Sequence, residues 1–192
     1  MSEDHPENRA GDVRLSPRAV DDDDWIEEFL THQPMCVLGL VDEGSPYVVN
    51  QLFVYDPAER AIFLHGAHTG RTRTIVERGD STDASLTVSR MGRLLPAEKP
   101  VDFDVEYASV VVYGDIGLVE DTREKRLALE LLMEKFAPHM SPGADYEPIA
   151  ESSIERTSVY RIDVDGWSAK NNEKDADFAG AYDYRAAREG KE

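Results

Sequence analysis

Apolar residues occur in short runs separated by turn residues through the first two thirds of the chain. Cys36–Val41 is an apolar strand, and Asp42-Glu43-Gly44-Ser45-Pro46 after it is turn chemistry. Tyr47–Tyr55 is a longer strand, Asp56–Arg60 turns again, and Ala61–His65 is a third strand. Strand, turn, strand, turn, strand at this spacing predicts an antiparallel meander. Thr69–Arg78 reads as a helix, Ser81–Ser89 as a strand, and Met91–Asp102 as a loop with two prolines. Val105–Val119 is a long strand in which Gly114 and Gly117 mark bends or bulges. Leu129, Leu132, Met133 and Phe136 then recur at helical spacing behind Asp121 and Glu124, a helix-opening pair, and the helix stops before Pro138. That stripe is read as a core face, the other reading being a partner groove. Tyr160, Ile162 and Val164 alternate with charged residues in a half-buried strand that ends at Gly166-Trp167. Acids at Asp21–Asp24 ahead of Trp25 and Phe29 open one more short helix. The sum is about six strands and three helices without βαβ alternation. A mainly β fold with flanking helices (α+β), a closed or partly closed barrel with helices outside, fits this pattern.

The ends of the chain carry no such pattern. Residues 1–20 are expected to be a mostly irregular arm, residues 21–170 the folded domain, and residues 171–192 a charged tail on which Phe178, Tyr182 and Tyr184 could still dock. At 192 residues the domain needs no disulfide or metal staple, and a single cysteine, Cys36 in an apolar strand, offers none.

Charge narrows the partners. Thirty-nine acidic residues against 21 basic ones give a net charge of -18. Such a surface repels nucleic-acid phosphates and anionic lipid, so neither nucleic acid nor membrane is expected as a partner. No apolar run is long enough to span a bilayer, and the first residues lack a signal pattern, which points to a cytoplasmic protein. Six of the cations are Lys and 15 are Arg. High acid with little lysine resembles proteins of salt-accumulating cells and predicts a fold that weakens in low salt; the other reading is an ordinary acidic protein.

One segment reverses the sign. In Ile62-Phe63-Leu64-His65-Gly66-Ala67-His68-Thr69-Gly70-Arg71-Thr72-Arg73 a buried strand runs through small residues into a helix start. The first turn of a helix offers unpaired N–H groups, which suit phosphate, and two arginines add charge-assisted bonds. The competing reading is a capped helix whose arginines pair with surface acids. His65 and His68 straddle a strand end without a third ligand at metal spacing, so no metal site is expected, and a pocket-facing His is the better reading. Asn50 and Gln51 put amides on opposite faces of one strand, bonding either backbone at a bulge or a polar ligand edge. Ser109 could bond neighbouring backbone, and Trp167 could cover a flat ligand, a subunit boundary or the core.

Taken in order, the Pro46-Tyr47-Val48-Val49 strand, the Phe63-Leu64-His65-Gly66-Ala67 turn with Gly70-Arg71, the Tyr107–Gly114 strand, the long helix after it and the final strand ending Gly166-Trp167-Ser168-Ala169-Lys170 together carry a resemblance. They resemble the pyridoxamine-phosphate-oxidase-like, FMN-binding split-barrel superfamily, and within it the nitroimidazole-resistance-type branch. The resemblance implies a six-stranded antiparallel split β-barrel of Greek-key character, a homodimer with FMN at the subunit interface, and a small-molecule substrate. It implies that Val48, Val49, Asn50 and Gln51 line the flavin, with Leu64 and His65 beside ring or ribitol. It further implies Gly70 and Arg71 at the phosphate, Ser109 as a polar flavin contact and Trp167 as an aromatic from the partner chain. His65 is the candidate catalytic residue. The oxidases carry a Ser-Arg-Lys run where this chain has Thr69-Gly70-Arg71, so pyridoxamine-phosphate oxidation itself is not expected. The expected activity is FMN-dependent reduction of nitro compounds or similar electrophiles. Deazaflavin or haem in the same groove, or a non-catalytic flavin sensor or storage dimer, are the alternatives.

Overall fold

The computed structural model describes residues 16–79 and 83–190. Its strands are β1 (Ala19–Val20), β2 (Met35–Asp42), β3 (Ser45–Asp56), β4 (Ala61–Ala67), β5 (Asp83–Leu95), β6 (Asp104–Leu118) and β7 (Thr157–Asn172). The helices are α1 (Asp23–His32), α2 (Arg71–Arg78), α3 (Thr122–Phe136), α4 (Glu151–Glu155) and α5 (Tyr184–Glu189). The sheet order is β1-β7-β4-β3-β2-β5-β6, and β6 pairs back onto β7. Six strands therefore close into a ring, all antiparallel, with β1 added at Ala19↔Lys170. This is the split β-barrel with flanking helices.

Local chemistry explains each corner. The β2–β3 turn needs two positive φ values, supplied by Glu43 at 50° and Gly44 at 78°. Asp22 caps α1 by accepting from the Trp25 N–H, and Asp121 caps α3 by accepting from Arg123 and Glu124. The β6–β7 seam shifts register between Tyr113 and Gly114. A Cβ on Gly114 would stand 2.0 Å from the Asp163 carbonyl oxygen, so only glycine admits that bulge. Gly117 has open space around it and no register shift, so it is not a required bend.

Two apolar layers result. Inward-facing residues such as Leu38, Phe53, Leu64, Leu86, Val110 and Ile162 fill the barrel, closed at one end by Ile26, Phe29 and Leu30 of α1 and braced by Ile75 of α2. On the outside, Val54, Phe63 and Val159 are covered by Ala128 and Leu132 of α3. The buried stripe of α3 is thus rotated from the expected one. Leu132 is buried, whereas Met133 is half-buried and Phe136 is exposed, because the helix rests on its smallest face.

Several boundaries also move. β5 continues to Leu95 through the segment expected to be a loop, because it pairs with β6 as far as Asp104 beyond an irregularity at Met91–Leu94. The expected start of that strand at Ser81 lies outside the described residues. β7 does not end at Trp167 but runs to Asn172, held by β6 through Tyr107↔Asn172. Of the N-terminal arm, residues 1–15 lie outside the described residues. The chain after β7 is docked: Leu94 and Tyr182 exchange backbone hydrogen bonds, and Arg93 donates to the carbonyls of Lys174, Asp175 and Ala176.

Candidate functional site

The barrel end that carries the C-termini of β2 and β4 is flanked by α2. The helix starts at Arg71, two residues later than expected, because Gly70 takes φ 134°, a conformation that glycine adopts freely and a helix cannot hold. Gly70 is the N-cap and has no side chain to satisfy the first N–H groups. Beside it is a small cavity of about 80 Å³, lined by Gln51, Gly66, Gly70, Arg71, Arg73 and Tyr160 among others. Gln51, Gly70 and Arg71 are thus brought together.

The arginines are not idle. Arg71 donates through Nε to Asp42 at 2.7 Å, and its guanidinium lies 4.7 Å from the Tyr47 ring centre. Asp42 also accepts from Arg78. Hydrogen bonds from Arg71 first, and then from Arg78, hold the Asp42 carboxyl below its usual range. Arg73 donates to Ser158 at 2.8 Å and to Glu77 at 2.6 Å, and stands 3.3 Å from His68 Nδ1. The arginines therefore do pair with acids, as the competing reading of this segment required. The remaining guanidinium nitrogens of Arg71 carry no hydrogen bond among the described residues.

Around the corner from Arg71 the outer face of the barrel is apolar. Gly39 stands opposite Val48 on β3 and Ser85 on β5, and Ser85 stands opposite Tyr113 on β6. These residues, with Val41, Pro46 and Tyr47, line a shallow cavity of about 520 Å³. A Cβ on Gly39 would meet Ser85 Oγ at 2.9 Å, so glycine keeps this floor flat. Tyr47 joins the two places: it lines this cavity, its hydroxyl lies 3.2 Å from Thr72 Oγ1, and Arg71 lies over its ring.

The other expected residues divide. Val48 lines the outer cavity and is 67% exposed. Asn50 is exposed on the same face, opposite Val37. Val49 packs on the core, and Leu64 is fully buried inside the barrel, so neither side chain is offered to a ligand. Both sit at inward positions of the strand alternation. Ser109 is on the outer face of β6, opposite Ser89 and Lys170, four residues or about 13 Å along the strand from Tyr113. Trp167 lies at the opposite end of the barrel. Its indole donates to Asp23 at 2.8 Å and is covered by Arg60 at 4.0 Å, so within one chain it does not join the Arg71 corner.

His65 faces away from Gln51. Its Nδ1 is buried and has no hydrogen-bond partner, and burial lowers the pKa of its ring, which favours neutral imidazole. Tyr47, Asp42, Gly39 and Tyr113 were missed by sequence reasoning. Tyr47 sits four residues before Gln51 in the same strand, the one linear signal that could have found it. Among the described residues no three His, Cys, Asp or Glu side chains cluster as metal ligands. No described helix is long and apolar enough to cross a membrane.

The folded part of the chain matches a known family. The family model for pyridoxamine 5'-phosphate oxidase matches residues 22–171, and the chain belongs to that family. Among solved structures it is similar to the flavocytochrome Anf3 from Azotobacter vinelandii, with TM-score 0.75, 21% identity, and coverage of 97% of this chain and 82% of that one. It is similar to the FAD and heme binding protein from Mycobacterium smegmatis, with TM-score 0.71, 20% identity, and coverage of 83% and 77%. A candidate 5-nitroimidazole antibiotic resistance protein from Bacteroides thetaiotaomicron aligns with TM-score 0.65, 23% identity, and coverage of 79% and 85%. No curated protein matches.

Proposed function

We propose that the protein is a flavin-binding homodimer that uses FMN to reduce small electrophiles such as nitro compounds. The observation that carries this reading is the continuity, through Tyr47, between a flat apolar cavity and a basic corner at a bare helix start. A flavin phosphate has those two parts, a planar ring and an anion. The residues fit: Gly39 leaves room for a plane, Val41 and Val48 flank it, and Gly70 and Arg71 present backbone N–H groups and a guanidinium. The names of the similar structures, a flavocytochrome and an FAD and heme binding protein, support a flavin. One phosphate suits the small corner, which favours FMN.

When bound, flavin supplies the electron-transfer chemistry. The chain supplies position and shielding. Arg71 clamps the phosphate, Gln51 offers its amide at the same corner, and Asn50 faces the apolar surface from β3. His65 lines neither cavity; its place in this reading is on the outer side of β4, the strand next to β3, as a hydrogen-bond donor to ring edge or substrate. Met35, Val37, Val41, Val48 and Leu52 form an exposed apolar face on β2 and β3. A second copy over this face would bury it and exclude water from the ring.

The test is the absorption spectrum of the purified protein, with the released cofactor weighed. Flavin bands and the mass of FMN are expected; a colourless protein that takes up no FMN or FAD overturns the reading. Dimer mass in solution, reduced by Val48→Lys together with flavin uptake, tests the interface. Haem is a second reading, favoured by the unpartnered Nδ1 of a neutral His65 and by the names of two similar proteins. A Soret band abolished by His65→Gln would establish it.

A further inference from the structure

A cavity of about 560 Å³ lies outside the barrel, between α3 and the chain that follows it. None of its lining belongs to the barrel strands or to α2, so it is separate from the flavin surface. Its volume falls in the range of small-molecule sites. α3 forms one wall with Met133 and Ala137; Met140, Tyr146 and Ile149 face them, with three prolines between.

The second wall is held in shape. The Ser141 N–H donates to the Asp145 carboxylate at 2.8 Å, and the Gly143 N–H donates to the Tyr146 carbonyl at 2.7 Å. Gly143 takes φ 83°, which the turn requires. Pro138, Pro142 and Pro148 restrict the unfolded chain and so lower the cost of ordering this segment.

The charges on the rim have a definite sign. Arg126, Glu130 and Glu134 are spaced four apart and line the cavity from α3. Arg126 is committed: it donates to the Ile149 carbonyl at 2.8 Å and pairs with Glu151. Glu130 and Glu134 make no ion pair among the described residues. An anion would meet two carboxylates and an arginine already neutralised. A cation would meet two free carboxylates, a tyrosine ring and two polarisable methionines, in a protein whose net charge of -18 concentrates cations at its surface.

We propose that this cleft is a second ligand site, which takes small organic cations that carry a protonated or quaternary amine on an apolar ring or chain. The apolar body sits against Met133, Met140, Tyr146 and Ile149, and the cationic end points to Glu130 and Glu134. The site does not depend on flavin, and it makes the helix stripe in part a binding face.

The experiment is titration of the full-length protein with benzyltrimethylammonium, and with benzenesulfonate as an anion of similar size, by calorimetry in the lowest salt that preserves the native circular dichroism. Saturable binding of the cation is expected, at least about 10-fold tighter than the anion, since two unpaired carboxylates near one cation contribute on the order of a tenfold change. The double variant Glu130→Gln/Glu134→Gln should lose about 10-fold, and Ala137→Trp should block the cleft, while flavin uptake stays unchanged. Equal affinity for the two probes, no saturable binding of the cation, or binding indifferent to both variants overturns the proposal.

Discussion

Two arginine–carboxylate assemblies stand on the same barrel and do opposite things. At Arg93 every guanidinium nitrogen is engaged: Nε and one terminal nitrogen grip Glu106 at 2.8 and 2.6 Å, and the terminal nitrogens also reach three backbone carbonyls. Glu106 in turn accepts the backbone N–H groups of Arg93 and Lys174. The side chains are 29% and 10% exposed. At Arg71 a single nitrogen is used, and the side chain is 57% exposed over a tyrosine ring. The first assembly is saturated and fastens the C-terminal segment to β5 and β6. The second keeps donors in reserve beside a helix start. What sets the proposed ligand site apart is the unused hydrogen-bonding capacity around a charge, rather than the charge alone.

The largest effect should come from breaking the saturated side. A Cβ on Gly92 would stand 2.8 Å from Glu106 Cβ, so Gly92→Ala is expected to cost about 1–3 kcal/mol in denaturant unfolding and to expose the segment after Asn172 to protease. Acid tests the same pair. Arg93 and the bonding backbone N–H groups hold the Glu106 carboxyl at about 2, below its ordinary 4.5. Its contribution is therefore complete above about pH 4.5 and is lost as the pH falls toward 2. Protection of the segment from protease should fall in that window in the native protein and stay flat in Glu106→Gln.

Lys135 sharpens the contrast, as a cation with no carboxylate partner among the described residues. It sits 3.8 Å from the Phe53 ring centre and donates to the Leu30 carbonyl, and burial lowers its pKa to about 8. The folded state thus favours the neutral amine. Stability should rise as pH increases from about 8 toward the ordinary 10.5 and be constant below 8. Lys135→Met should raise stability at pH 7 by about 1–2 kcal/mol and remove that rise in thermal melts.

On the exchangeable side the effects are on affinity. Arg71→Ala is expected to weaken FMN binding about 10- to 100-fold, as loss of a charged hydrogen bond does, and to leave riboflavin nearly unchanged. Equal losses for both ligands would place the phosphate elsewhere. Asp42→Asn should change affinity least, a gain of a few-fold for FMN in equilibrium titration, because it frees Arg71 from an internal competitor. A loss instead would show that Asp42 positions the arginine rather than competes for it.

How much of this was legible varied by residue. The meander, the Asp121 cap and the Gly114 bulge follow from local rules, since turns, caps and bulges have residue preferences of their own. Gly70 and Arg71 were legible because a glycine and two arginines stand out in an acidic chain. Leu64 and Val49 lie on the inward side of the alternation, and which side is inward is set by closure of the barrel. Asp42 looked like a turn residue, and only the fold carries it across 29 positions to Arg71. Arg93 was hidden in a stretch with two prolines that reads as a loop; Glu106 is 13 residues away across the β5–β6 pairing, and the backbone carbonyls it reaches are more than 80 residues away.

Spacing and residue type along the chain were enough for the strands of the meander, the acid caps that open α1 and α3, and the sign of the charge at each position. Those properties depend on side-chain spacing and on a few residues' backbone preferences. Closure of the barrel by β6 and β7 was decided by the tertiary structure, and so was the meeting of Tyr47 with Arg71 and the difference between the two arginine pairs. A side chain's burial and the number of hydrogen bonds left open to it depend on neighbours distant in the chain, which no local pattern encodes.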